Sequence, residues 1–155
     1  MKKWVSVLLL AFLLASIGFW IYQSRAQGRT AAEPVPQATA PLATRIVAYY
    51  FHGTQRCYTC LTMESYASDA LNGSFSQELS TGRVQFQSVN IEEPANQHFW
   101  DDYQLSSQAL VLVAYRDGQQ VTWNNLAEIW SKVRDKEQYY QYVKDGMTQL
   151  LAEVR

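Results

Sequence analysis

Two cysteines stand three residues apart, as Cys57-Tyr58-Thr59-Cys60, and they are the only two in a chain of 155 residues. Thiols at that spacing on one helical turn lie within reach of each other and can cycle between dithiol and disulfide. The apolar run Arg45 to His52 ends just before them, the polar loop Gly53-Thr54-Gln55-Arg56 follows, and a helical pattern begins at Cys57. A cysteine at a helix start faces unpaired backbone N–H groups and the positive end of the helix dipole, both of which favour thiolate over thiol. Arg56 adds a neighbouring positive charge. Cys57 is therefore the expected nucleophile. Cys60, deeper by one turn, is expected to release a bound partner by attacking Cys57 within a mixed disulfide.

Other chemistries compete for the same residues. A purely structural bridge over a loop of about four residues contributes about 2 kcal/mol, against about 4.7 kcal/mol for a loop of about a hundred, so a staple is expected to span more chain. A soft ion such as Cu(I) could be collected by His52, Cys57 and Cys60, with Met63 as a further donor. A structural zinc site takes four N or S ligands, and only three good ones lie near. Redox chemistry leads, and two alternatives stay open: binding of a soft metal such as Cu or Zn, and a non-catalytic subunit whose surface docks a partner. Glu64, one turn beyond Cys60, is either a proton acceptor for it or a surface residue. His52 either tunes the thiolate or hydrogen-bonds the loop. Met63 reads as packing. His98, among Glu92, Glu93, Asp101 and Asp102, reads as part of a solvated helix face, and Tyr139, Tyr140 and Tyr142 as packing. No cofactor beyond a Cys57–Cys60 disulfide is expected.

The elements that must position this pair follow from the apolar pattern. Arg45 to His52 (RIVAYYFH) is β-branched, aromatic and nearly all apolar, as a buried central strand is. A helix runs from Cys57 with Leu61, Glu64, Ala67 and Leu71 on one stripe, and Asn72-Gly73 is expected to end it in a left-handed turn. Phe75 to Leu79 adds a helical turn, Arg83 to Ile91 a strand and Asn96 to Tyr103 a short helix. Ala109 to Tyr115 is a continuous apolar strand, and Asp117-Gly118 turns it back into Gln119 to Trp123. Leu126, Ile129, Trp130 and Val133 follow the helical period, and a last helix, capped by Asp135, carries Tyr139, Tyr142, Val143, Met147, Leu150, Leu151 and Val154. The first two strands should be parallel with a right-handed crossover, and the hairpin antiparallel. The fold class is α/β, a mixed central sheet flanked by helices on both faces.

Residues 1–22 are of another kind. Trp4 to Tyr22 is apolar except for Ser6 and Ser16, and its nineteen residues cover roughly the 30 Å of a bilayer core. Lys2 and Lys3 precede it, and Trp4, Trp20 and Tyr22 sit near its ends. It reads as an uncleaved transmembrane anchor. A cleaved signal is the other reading, for which Ser24-Arg25-Ala26 is a poor cleavage site. Residues 23–44, with Pro34, Pro36 and Pro41 among Ala, Thr and Gln, form a tether, and residues 45–155 a folded domain expected on the extracytoplasmic, periplasmic side of the inner membrane. Residues 1–45 sum to a charge of +4 and the remainder to −5, from a total of −1. An acidic folded part argues against a nucleic-acid partner, which needs a basic face. The expected partners are protein thiols or disulfides, together with the membrane through residues 4–22.

The order of strand, CxxC at a helix start, helix, strand, helix, hairpin and helix resembles the thioredoxin superfamily over residues 45–155. The segments YYFHGTQRCYTC, VNIEEP and VLVAYRDG are similar to a bacterial group known as the nitrophenyl compound nitroreductase subunit, ArsF type. No flavin or nicotinamide fingerprint accompanies them, so nitroreductase chemistry is not read from that name. The resemblance implies a thioredoxin-like fold and thiol-disulfide exchange at Cys57 and Cys60. The sequence departs from the superfamily at three places. Ser106-Ser107-Gln108-Ala109-Leu110 has no proline where a cis-proline usually opens the third strand beside the thiols. Arg56 replaces the usual tryptophan before the first cysteine. Tyr50 and Phe51 stand where a buried acid usually lies beneath the site.

Overall fold

The structure, a computed structural model, describes residues 44–154. The expected membrane anchor and the tether as far as residue 43 lie outside the described residues, and Thr44, expected to end the tether, instead opens the first strand; no helix among the described residues is long and apolar enough to cross a membrane. The elements are β1 (Thr44–His52), α1 (Tyr58–Ser74), α2 (Ser76–Ser80), β2 (Val84–Asn90), a 3-10 turn at Pro94–Asn96, α3 (Phe99–Asp102), β3 (Ala109–Arg116), β4 (Gln119–Asn125), α4 (Ile129–Lys132) and α5 (Lys136–Glu153).

Four strands form one mixed sheet in the order β2-β1-β3-β4. The central strand β1 runs parallel to β2, with Ile46 opposite Val84 and His52 opposite Asn90. It runs antiparallel to β3, with Thr44 opposite Arg116 and Phe51 opposite Ala109. The β3–β4 hairpin turns at Asp117 and Gly118, whose φ angles of 52° and 81° put both in the left-handed region that such a tight turn needs.

Because side chains alternate along a strand, β1 feeds two cores. Ile46, Ala48 and Tyr50 point into a cluster with Met63, Ala67 and Leu71 of α1 and Tyr139, Val143 and Met147 of α5. Phe51 points the other way, with Val111, Val113, Ile91 and Tyr103, and Tyr49 packs against that second cluster. Tilted rings pack there on the sheet's face, Phe51 lying 5.0 Å from Phe99 and 5.6 Å from Tyr103 between centroids. The long helices cover one face, and among the described residues the other receives the 3-10 turn and the single turn of α3.

Several expectations shift in detail. The buried stripe of α1 is Cys60, Met63, Ala67, Ala70 and Leu71, so Met63 packs as expected while Leu61 stands outside the core. Gly73 stays within the helix, which ends when Phe75 leaves helical geometry at φ −133°, buries its ring and donates its N–H to the Leu71 carbonyl. A buried aromatic overrides the glycine as the stop. The expected helix over Leu126 to Val133 shrinks to the single turn of α4. Asp135 caps α5, its carboxylate accepting the Gln138 N–H at 3.1 Å.

Candidate functional site

Strand direction brings the site together. The parallel strands β1 and β2 both end at one rim of the sheet, where antiparallel β3 begins and β4 finishes. The loop into α1, the segment after β2, the loop before β3 and the turn α4 therefore emerge side by side. Gln55, Arg56, Cys57, Cys60, Glu92, Gln108 and Trp130 line an open cleft of about 620 Å³ at that rim.

Cys57 is the N-cap of α1, with extended backbone, and its Sγ accepts the Cys60 N–H at 3.1 Å. A sulfur placed there receives one of the four N–H groups that a helix start leaves unpaired. Cys57 is exposed and Cys60 is buried, and the two form a disulfide with Cα atoms 5.1 Å apart. One sulfur is thus presented to solvent while the other is held behind it.

The floor of the site is a tyrosine. Tyr50, fully buried, donates its hydroxyl to the Cys60 carbonyl at 2.7 Å. Burial pushes its ionisation up to about 12, with the nearby Arg56 charge pulling the other way. Tyr50 lies beneath the pair, in the core of that face, while Phe51 lies on the opposite face of the sheet. Gln108 stands at the mouth of β3, and its carbonyl accepts the Trp130 indole N–H at 2.9 Å. No cis peptide occurs among the described residues.

Arg56 and Glu64 form an ion pair, both about three-quarters shielded from solvent. The positive charge expected to act on Cys57 is therefore largely balanced, and the carboxylate considered as a proton acceptor for Cys60 is committed to Arg56. His52 is not among the residues lining the cleft. It borders a neighbouring groove with Tyr49, Gln87 and Asn90, and its Nδ1 lies 2.9 Å from the Gly53 carbonyl oxygen. That contact is the loop hydrogen bond weighed from the sequence. Among the described residues no three His, Cys, Asp or Glu side chains gather as a metal site. His98 is exposed, 3.8 Å from Asp102, on the solvated face expected of it.

Two cleft residues escaped the sequence reading. Trp130 looked like a core position by its helical spacing, but α4 is a single turn at the sheet rim, and Trp130 is 40% exposed. Glu92 reads from the sequence as one of the solvated acids around His98. Its carboxylate instead accepts the Thr54 N–H at 2.9 Å and so holds the loop that leads to Cys57. Gly53 makes room for it, since a Cβ there would stand 2.6 Å from Glu92 Oε1. The only available signal was that Glu92 follows a strand parallel to β1, which sends both to the same rim.

The decisive observation is a cysteine pair at the start of the helix that follows a central strand, in a mixed sheet ordered β2-β1-β3-β4. The fold is thioredoxin-like. No family model and no curated protein matches the chain. Solved structures of thioredoxins overlap it in part. A thioredoxin from Thermus thermophilus is 23% identical over 58% of this chain and 72% of its own, with a TM-score of 0.36. The thioredoxin of Fasciola hepatica is 19% identical over 58% of this chain and 79% of its own, with a TM-score of 0.35. The protein Trxlp from Edwardsiella tarda EIB202 is 22% identical over 53% and 69%, with a TM-score of 0.33.

Proposed function

We propose that this chain is a thiol-disulfide oxidoreductase whose working groups are Cys57 and Cys60. The single observation that carries the reading is the asymmetry of the pair. Exposed Cys57 caps a 17-residue helix, and buried Cys60 stands behind it in disulfide contact. In the oxidised form, a partner thiolate attacks Cys57 Sγ. The Cys57–Cys60 bond breaks, and Cys60 leaves with the electron pair and takes a proton. A second thiol of the partner then attacks the mixed disulfide. The partner departs as a disulfide and the chain as a dithiol, with two electrons and two protons transferred. The reverse sequence reduces a partner disulfide, and the Cys57 thiolate is then the attacking group.

The apolar run over residues 4–22, with Lys2 and Lys3 before it, supports a membrane-anchored form with the folded domain on the extracytoplasmic side. Protein thiols and disulfides of that compartment are the proposed partners.

The test is a Cys60→Ser variant in intact cells. With its resolving thiol gone, Cys57 should hold partners as mixed disulfides that disappear on reduction. Cys57→Ser should hold none. The reading fails if Cys60→Ser gathers no adducts and the reduced wild-type chain exchanges with no protein disulfide.

A further inference from the structure

The surroundings of the disulfide carry a pattern that the exchange chemistry alone does not require. Among the described residues four large apolar side chains stand exposed, Tyr58 at 86%, Leu61 at 49%, Val121 at 45% and Trp130 at 40%. Three of them belong to the disulfide's rim. Tyr58 follows Cys57, Leu61 follows Cys60 one turn from Tyr58, and Trp130 lines the cleft that holds both sulfurs. Exposed apolar groups gathered in one place mark a contact surface.

The charge of that surface is just as uneven. Arg56 is the cleft's cation, and Glu64 balances it. Glu92 is the cleft's carboxylate, fully exposed and without a cationic partner among the described ion pairs. The Thr54 N–H favours its ionised form and holds its ionisation below the ordinary carboxylate value. Glu92 also lines a second open hollow of about 560 Å³, together with His98, Trp100 and Asp101. The chain beyond residue 45 sums to −5, so the wider field has the same sign.

We infer that Glu92 sets the substrate class: the rim receives a polypeptide thiol or disulfide whose cysteine is flanked by an apolar residue and a lysine or arginine. The apolar neighbour covers Tyr58, Leu61 and Trp130 while the cation meets Glu92. Anionic small thiols and cysteines flanked by acids are disfavoured by the same charge. This inference rests on the exchange reading above and adds the selection of partner.

The experiment uses the oxidised full-length chain in mild detergent and three synthetic pentapeptide thiols. All share one leucine, and they differ only in Lys, Gln or Glu beside the cysteine. Each peptide is reacted with wild type, Glu92→Gln, Glu92→Lys and, as a control, Glu93→Gln. The amide oxygen that Glu92→Gln introduces can still accept the Thr54 N–H, so the loop is retained while the charge is removed. Comparing variants peptide by peptide cancels the intrinsic reactivity of each thiol. At low salt the preference for the Lys over the Glu peptide should fall about three- to tenfold in Glu92→Gln, and the difference should fade at about 1 M salt. Glu92→Lys should reverse the preference and Glu93→Gln should leave it unchanged. An unaltered preference in both Glu92 variants overturns the inference and spares the exchange reading. No reaction of wild type with any peptide overturns both.

Discussion

At the scale of single residues, the reactivity of Cys57 is set by a few neighbours of opposing effect. Its sulfur receives the Cys60 N–H, which stabilises a thiolate, while Glu64 draws off the charge of Arg56. Removing that carboxylate should free the guanidinium to act on the cleft. In the reduced protein, Glu64→Gln should raise the alkylation rate of Cys57 by iodoacetamide at neutral pH about two- to fivefold. An unchanged or slower rate would show that the pair holds the loop in place and does not tune the sulfur. The dipeptide Tyr58-Thr59 carries no histidine to hold a thiolate. The potential is therefore expected toward the reducing end of the range that CxxC disulfides span, and a redox titration against glutathione that returns a strongly oxidising value refutes this. Cys57 and Cys60 were legible from spacing alone, because CxxC at a helix start is a local pattern. The Arg56–Glu64 pairing was not. It joins a loop residue to a helix residue two turns on, and spacing does not say which way either long side chain turns.

At the scale of elements, α1 carries the pair and is held by tyrosine hydroxyls from two neighbouring elements. Tyr50 of β1 donates to the Cys60 carbonyl at 2.7 Å, and Tyr139 of α5 donates to the Met63 carbonyl at 2.8 Å. Both rings are fully buried. Tyr139→Phe removes one such donor with little change of volume and should cost about 1 kcal/mol, read as a lower urea midpoint. The start of α5 depends on its cap. Asp135→Ala leaves the Gln138 N–H without its acceptor and should also cost about 1 kcal/mol, visible in the same melt. If that midpoint stays put, solvent serves the helix start as well as the carboxylate does. Strand and helix identities were readable because apolar periodicity is local. Element ends were less so, as at Phe75 and α4, where packing against distant residues decides how far a helix runs.

At the scale of the whole molecule, buried tyrosines link stability to pH. Burial pushes the ionisation of Tyr50 up to about 12 and raises that of Tyr139, Tyr49 and Tyr103 as well. An unfolded tyrosine loses its proton near pH 10, while the folded one keeps it, so above that pH the unfolded state binds fewer protons. The stabilisation is present in full below about pH 10 and is lost as pH rises toward about 12, with a slope for Tyr50 of up to about 1.4 kcal/mol per pH unit. Urea midpoints should therefore be level from about pH 7 to about pH 9 and fall steeply above about pH 10. Tyr50→Phe should fall less steeply, and a midpoint that stays flat to about pH 11 contradicts the argument.

The amino-acid sequence by itself determined the paired cysteines, the nearly continuous apolar run that gives β1 two buried faces, the hairpin at Asp117-Gly118 and the cap at Asp135. Each is a short-range pattern enforced by backbone geometry within a few residues. Tertiary structure alone decided what surrounds the sulfurs. Glu92, Gln108 and Trp130 lie 32 or more positions beyond Cys60 in the chain and meet it because parallel β2 and antiparallel β3 end or begin at the rim where β1 ends. Strand direction is a property of the assembled sheet, and no local pattern of side chains encodes which loops it will bring together.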